Sequence, residues 1–426
     1  MSAITAESLA EDQVLAAVAA LQRRNAPTHG PRMFRPSYFA GDDVVRVAEE
    51  AFRLFIKENW LYGRTSYPAV GELEDQVLAS LLDLFHAPRE AGGILTSGGT
   101  ESLILSVKIA RDHARAAGRP GPLNIVIPHT GHPAFEKAGD LLAVEVRRAP
   151  DSVDWGADVG WMRSTCDAGT ALLVGSAPPY PFGQVDPIRE LAALARELGT
   201  WLHVDACLGG MVLPFVHAAG KTAPPFDFRI PEVASLSVDL HKFGYAVKGI
   251  SALLLRDQTA TAHGQTVFDR WPSGLYATPG ISGSRSAGAL ASAWAVMQYL
   301  GHPGFAERTA RILANRDALI SRLEAAGARI IGRPDTFHFN FTVPGVDSLA
   351  LAEALTEAGW VLSSTENPDT LQLMVTAAHE GMAEPFAEDA ARLAGEIREG
   401  TRRSSGKGAV YSKVVLGSGV ADLRRL

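Results

Sequence analysis

The sequence predicts an α/β protein, with a mainly parallel sheet in a large domain and a smaller C-terminal α+β domain. Three observations carry this. Through the middle of the 426-residue chain, short apolar runs alternate with amphipathic helical stretches, the pattern of a parallel sheet covered by helices. Glycine-bearing turns and isolated polar residues follow several of those runs, at the strand ends where open parallel sheets collect their function. From about Phe305 the alternation gives way to a long helix, two strand-like runs and two further helices. The divisions expected are residues 1–62 as an N-terminal helical segment, 63–304 as the large domain and 305–426 as the small one.

The chain opens with an amphipathic helix whose Glu7, Glu11 and Asp12 stand where a signal peptide needs positive charge. Strands are expected at Asn124 to Pro128, Ala171 to Ala177, Trp201 to Ala206, Ser235 to Leu240 and Ile250 to Leu255. PIRELAALARELG reads as a helix capped by Asp186 and opened by Pro187. GKTAPPFDFRIPE reads as a surface loop, and AGALASAWAVMQYLG, Ala287 to Gly301, as a buried helix. No uninterrupted apolar stretch reaches the eighteen or so residues of a membrane span. In the small domain, ARIIG and FHFNFTV are strand-like and the final helix covers Ala383 to Glu399. The terminal SSGKGAVYSKVVLGSGVADLRRL reads as a loosely packed extension.

Composition narrows the function classes. With 46% hydrophobic and 20% charged residues the chain fits a globular enzyme. A net charge of −7 argues against a nucleic-acid partner, which calls for a basic face. Two cysteines, Cys166 and Cys207, are too few for a disulfide framework, so a reducing cytoplasm is the expectation.

Chemistry-bearing residues fall at the strand ends. In ASLSVDLHKFGYAVKGIS an alternating apolar run delivers His241 and Lys242 into a turn, with Lys248 six residues on. A lysine is a covalent catalyst when desolvation or nearby cations make its neutral amine accessible; a solvated lysine closing a strand is the plainer reading of the same window. In ILTSGGTESLILSVK, Gly98, Gly99 and Thr100 turn a strand into a helix and offer donors to a phosphate, or simply cap the turn. Asp205 ends the apolar strand of HVDACLGG, where it either meets a cation such as a protonated pyridine nitrogen or caps the turn of Gly209 and Gly210. His132 in PHTGHPAFEKAG either stacks on an aromatic cofactor or caps its own loop. Gly283 and Ser284, in the loop YATPGISGSRSAG, offer further amides to a phosphate or serve as plain connection.

Together these are a lysine, an acid for a pyridinium, a ring to stack and a phosphate cradle, the parts of a pyridoxal 5'-phosphate site. The order SGGTES, H-x-A-F-x-K-A, HVDACLGG, HKFGYAVKG and GSR resembles the fold-type I pyridoxal phosphate enzymes, specifically the sphingosine-1-phosphate lyase branch of the group II decarboxylase superfamily. The resemblance extends over about Tyr38 to Glu399. It implies that Lys242 carries the cofactor, with Asp205 on the ring nitrogen and His132 on the ring. Gly98, Gly99, Thr100, His241, Gly283 and Ser284 are implied cofactor contacts, and no metal is implied. Tyr180 is implied in proton transfer, and Tyr38, Asn59 and Lys248 in holding a substrate phosphate. DACLGG and Lys248 are similar to the lyase side rather than to amino-acid decarboxylases. One departure lies in the substrate pocket, where Tyr62 replaces a phosphate-binding histidine of the lyases. Loss of that charge-assisted contact weakens phosphate recognition by about 1.5–3 kcal/mol. The resemblance also implies a homodimer in which the Gly283 loop reaches the neighbouring subunit's cofactor. The expected activity is carbon–carbon cleavage of a phosphorylated long-chain amino alcohol, with decarboxylation of an amino acid as the alternative.

Overall fold

The computed structural model describes residues 8–25, 29–150 and 155–402; the expected terminal extension lies outside them. Seven strands form the central sheet: β1 (Gly92–Thr96), β2 (Asn124–Ile127), β3 (Glu145–Arg148), β4 (Thr170–Ser176), β5 (Trp201–Asp205), β6 (Val233–Val238) and β7 (Ser251–Leu255). Their order is β1-β7-β6-β5-β4-β2-β3. Strands β3, β2, β4, β5 and β6 pair in parallel, whereas β7 is antiparallel to both β6 and β1. The reversal at β7 has a local cause. The connection from Val238 to Ser251 contains no crossover helix, so the chain turns straight back beside β6. That turn carries Asp239, His241, Lys242 and Lys248.

Every residue of β4 and β7 is buried, as expected of strands covered on both faces. Among the described residues the helices are α1 (Glu11–Gln22), α2 (Asp42–Leu54), α3 (Pro68–Leu84), α4 (Gly99–Ala116), α5 (Ala134–Leu142), α6 (Val159–Thr165), α7 (Ile188–Leu198), α8 (Thr261–Gly264), α9 (Gly288–Ala325), α10 (Ser348–Glu357) and α11 (Ala383–Arg398). In α9 the chain breaks at Gly301, whose φ of 52° lies in the left-handed region, and Pro303 follows. The buried helix expected at Ala287 to Gly301 is its first half, burying Leu290, Ala293, Val296 and Leu300.

A hairpin, β8 (Thr266–Trp271) and β9 (Gly274–Thr278), stands apart from the central sheet. The C-terminal unit is a four-stranded antiparallel sheet of β10 (Arg329–Ile331), β11 (His338–Thr342), β12 (Ser363–Glu366) and β13 (Asp369–Met374), in the order β10-β11-β13-β12. Trp360, Phe339, Phe341 and Phe386 fill its core. Phe34 joins that core from the N-terminal stretch, its amide donating to the Val361 carbonyl at 2.7 Å and its carbonyl accepting from the Met374 amide at 2.9 Å.

Several local expectations are corrected. Asp186 does not cap α7: buried beneath the strand ends, it accepts from the Ala157 amide at 2.8 Å and the Ser176 amide at 2.6 Å. Residues 220–232 lack regular structure, yet Phe226, Phe228 and Ile230 bury themselves in the main core, because aromatic side chains need cover even where the backbone is irregular. Tyr276, read as part of a loop, sits in β9. Strand β12 was not legible, since Ser-Ser-Thr-Glu lacks the apolar alternation of a half-buried strand, whereas β13, Asp-Thr-Leu-Gln-Leu-Met, carried that alternation and was missed. The amphipathic helix near the N-terminus exists as α1, but Leu15, Val18 and Leu21 are exposed on it.

Candidate active site

The carboxyl ends of β1, β2, β4, β5 and β6 converge on one cavity of about 360 Å³. Strand β1, although next to antiparallel β7, points the same way as β6 and brings its turn to the same edge. Lys242 and His241 line the cavity from the turn after β6, Asp205 from the end of β5, and His132 from the loop after β2. Tyr180, Tyr38 and the turn Gly98, Gly99 and Thr100 complete it.

The Lys242 ammonium lies 2.8 Å from Asp239 Oδ2, and Asp239 is buried. Burial alone would lower the lysine's pKa, but the Asp239 carboxylate outweighs it and holds the pKa above its usual value. The expectation of a lysine neutralised by desolvation is therefore corrected, because the nearest charge is an anion.

Asp205 meets several donors. Its Oδ1 accepts from the Cys207 amide at 3.0 Å, capping the turn, and from Ser237 Oγ at 3.4 Å. Behind Ser237 runs a directed chain. Trp201 Nε1 can only donate, and it donates to Ser235 Oγ at 2.8 Å. Ser235 then donates to His203 Nδ1 at 2.9 Å, leaving Nε2–H to donate to Ser237 Oγ at 3.2 Å and the Ser237 hydroxyl to donate to Asp205. Burial pushes His203 down to about 4, which keeps it in the neutral form this chain needs.

His132 accepts from the Ala134 amide through Nδ1 at 3.1 Å, so its proton is on Nε2, and burial lowers its pKa. It thus caps its own loop, one of the two readings the sequence left open, and its ring lines the cavity. The glycines before α4 are required by contact. A Cβ on Gly99 would fall 2.8 Å from both Asp239 oxygens and 3.1 Å from Cys207 Sγ, and Gly98 has a φ of 156°. The first amides of α4 have no partners within the helix and face the cavity, an anion cradle in both geometry and dipole.

Lys248 sits at the rim. Its Nζ donates to the His241 carbonyl at 3.1 Å and lies 4.5 Å from the centre of the Tyr38 ring. Although much of the side chain is exposed, desolvation at its tip and the like charge of Lys242 bring its pKa down to about 8.

Five of the expected site residues are not among those lining this cavity: Lys248, which packs beside it, and four that gather elsewhere. Asn59 Nδ2 donates to Ser284 Oγ at 3.0 Å, Asn59 also forms a bridge with Ser286, and Gly283 belongs to the same loop. Tyr62 follows Asn59 in the short turn Trp60–Tyr62 and is 49% exposed. This second cluster is held in place by Glu101. The buried Glu101 carboxylate accepts from the Ser97 amide at 2.8 Å and from the Ile281 and Ser282 amides at 3.1 and 3.0 Å, tying the glycine turn to the Gly283 loop.

Sequence reasoning missed Glu101 and Asp239. Glu101 carried a signal, being the N3 acid of a helix start, the position that reaches back to free amides. Asp239 also carried one, an acid closing an apolar run three residues before a lysine. Cys207 is buried against Asp205 and Asp239, and burial raises its thiol pKa far above the reactive range. No metal-ligating cluster occurs among the described residues.

The cavity therefore offers an amine, an acid fixed by directed hydrogen bonds, an imidazole face and an amide cradle that a Cβ would fill. Those donors fit pyridoxal 5'-phosphate. The family model of the pyridoxal-dependent decarboxylase conserved domain matches residues 7–331. A sphingosine-1-phosphate lyase of Oryza sativa subsp. japonica is 35% identical over 361 residues, covering 83% of this chain and 67% of that protein. The corresponding lyase of Dictyostelium discoideum is 36% identical over 355 residues, covering 83% and 66%. The chain thus spans about two thirds of the length of these curated relatives. The solved structure of a Burkholderia pseudomallei sphingosine-1-phosphate lyase superposes with a TM-score of 0.89 at 33% identity, covering 94% of each chain. A Lactobacillus brevis glutamate decarboxylase shares the fold at a TM-score of 0.78 and 20% identity. This chain belongs to the pyridoxal-dependent decarboxylase family, as a sphingosine-1-phosphate lyase-like member whose cofactor is pyridoxal 5'-phosphate.

Proposed function

We propose that the protein is a lyase that cleaves a phosphorylated long-chain amino alcohol, of the sphingoid base 1-phosphate type, into a fatty aldehyde and phosphoethanolamine. The observation that carries this reading is Lys248, a cation packed over Tyr38 and bonded to the His241 carbonyl, two residues that line the Lys242 cavity, and so suited to a substrate phosphate. The bound cofactor supplies an electron sink for the breaking carbon–carbon bond. Lys242 holds it, Asp205 keeps a proton on its ring nitrogen, His132 gives it a flat face and the amides of Gly98 to Thr100 receive its phosphate. Lys248 and Tyr38 orient the substrate phosphate, and the Tyr180 phenol at the cavity wall takes part in moving the hydroxyl proton.

The test is product analysis. A phosphorylated sphingoid base is expected to yield a long-chain aldehyde and phosphoethanolamine, and carbon dioxide released from amino acids as the only product would overturn the reading. A pH profile checks Lys248 separately. Lys248 is charged below about 8 and neutral above it, so kcat/KM for the phosphorylated substrate is expected to fall as pH rises through about 8. In Lys248→Met that limb disappears, and KM rises about 10- to 100-fold, the equivalent of a charge-assisted hydrogen bond.

The cluster of Asn59, Tyr62, Gly283 and Ser284 supports a homodimer in which each chain lends these residues to its partner's cavity; sedimentation of an active monomer would refute it. The two free cysteines fit a cytoplasmic site of action, which cell fractionation tests.

A further inference from the structure

The reading of the site leaves one buried carboxylate without a task. Asp239 follows β6, and its Oδ2 lies 2.8 Å from Lys242 Nζ. It is lodged under the first turn of α4, where Gly99 leaves it room. A buried carboxylate without a cation is strongly destabilising. His241 Nε2 stands 3.7 Å away, but burial lowers its pKa and favours the neutral ring. The Lys242 ammonium is therefore the charge that Asp239 needs, and Asp239 is the anion nearest the amine.

We propose that Asp239 is the counter-ion that keeps Lys242 protonated in the cofactor-free protein, and the base that takes up that proton when Lys242 becomes a nucleophile. The proton moves from Nζ to Oδ2 across the 2.8 Å contact, leaving a neutral amine and a neutral acid, so the pair's net charge stays zero throughout. Burial alone would raise the Asp239 pKa, and Lys242 and then His241 bring it below the usual carboxylate value. The other groups facing the ammonium are Cys207, Tyr38, Lys248 and His132. Lys248 repels it, and burial holds the Cys207 thiol in its neutral form. The inference rests on the reading of Lys242 as the cofactor lysine, but the ion pair exists without cofactor and can be tested without it.

The experiment uses the cofactor-free full chain, reductively methylated with formaldehyde and cyanoborohydride at a series of pH values between about 7 and 10, the range over which lysines deprotonate. Peptide mass spectrometry follows Lys242 and Lys248. The readout is the pH midpoint of labelling, which steric shielding does not shift. In the wild type, Lys248 is expected to label with a midpoint near 8, while Lys242 stays protected across the range. In Asp239→Asn the Lys242 midpoint is expected to drop into the range, with labelling at pH 8 increased at least about 100-fold, or two units. Asp239→Glu restores part of the protection. A wild-type Lys242 midpoint equal to that of Lys248, or one unmoved in Asp239→Asn, overturns the proposal. Where Asp239→Asn does not fold, a wild-type Lys242 midpoint inside the range still overturns the proposal, and a Lys242 midpoint in Asp239→Glu below the wild-type one supports it. Covalent cofactor retained by Lys242→Ala would instead overturn the reading of the site and leave these midpoints untouched.

Discussion

Lys242→Ala is expected to lower kcat by on the order of 10⁴-fold or more, the scale seen when a covalent catalyst is removed from a group acting as a unit. Borohydride treatment followed by mass spectrometry should link cofactor to the wild-type chain and to no other lysine in the variant. The second lysine in the turn, Lys248, cannot substitute. Its Nζ is directed to the His241 carbonyl and the Tyr38 ring at the rim, while the Lys242 amine is buried beside Asp239. The fold should survive the change less well than a surface substitution would, since it strands Asp239 without its cation. Removing one partner of a buried pair costs about 3–5 kcal/mol. Lys242→Met/Asp239→Asn, which removes both charges, is therefore expected to unfold at higher denaturant than Lys242→Ala, while remaining as inactive.

Asp205→Asn is expected to lower kcat by about 10²- to 10⁴-fold, the rate equivalent of losing one partner of a buried charge pair. The amide keeps an acceptor for the Cys207 amide and the Ser237 hydroxyl, so the turn after β5 is preserved. What it loses is the negative charge that, in the proposed function, would hold a proton on the ring nitrogen of the bound cofactor. The absorption spectrum of the bound cofactor and its pH dependence should change with kcat, which a purely structural defect would not cause. Ser237→Ala removes a single neutral donor from the same carboxylate, and its effect is expected to stay within about ten-fold. Equal losses in the two variants would mean that the hydrogen-bond chain from Trp201, rather than the Asp205 charge, carries the effect.

Much of the site was legible because its parts lie at the ends of short, strongly patterned strands. Apolar runs in β2, β5 and β6 place their following residues at one edge of a parallel sheet, so Lys242, Asp205 and His132 meet without any contact having been known. For His132 and Asp205 the capping reading is the one the structure shows, and it leaves both side chains lining the cavity, because a side chain can cap a turn with one atom and face a cavity with another. Glu101 was not legible in its larger role. Its amide partners at Ile281 and Ser282 lie 180 and 181 residues away in sequence, and no local pattern records such a contact. The misreading of Asp186 has the same origin. As a residue before a proline it looked like a cap, but its carboxylate turns inward to the Ala157 and Ser176 amides.

Periodicity and turn residues within short windows were enough to predict the mainly parallel sheet, and the resemblance carried by the order of the motifs was enough to predict the cofactor class. Three matters were decided only in three dimensions. Strand β7 runs antiparallel because the turn after β6 lacks a crossover. Asn59, Tyr62, Gly283 and Ser284 gather in a cluster of their own, with Glu101 bracing the loop that carries the last two. The Lys242 pKa is held above its usual value, against the effect of burial, because Asp239 is packed against the amine under Gly99. Charge state depends on distance and desolvation among groups that the fold brings together, and a sequence window specifies neither.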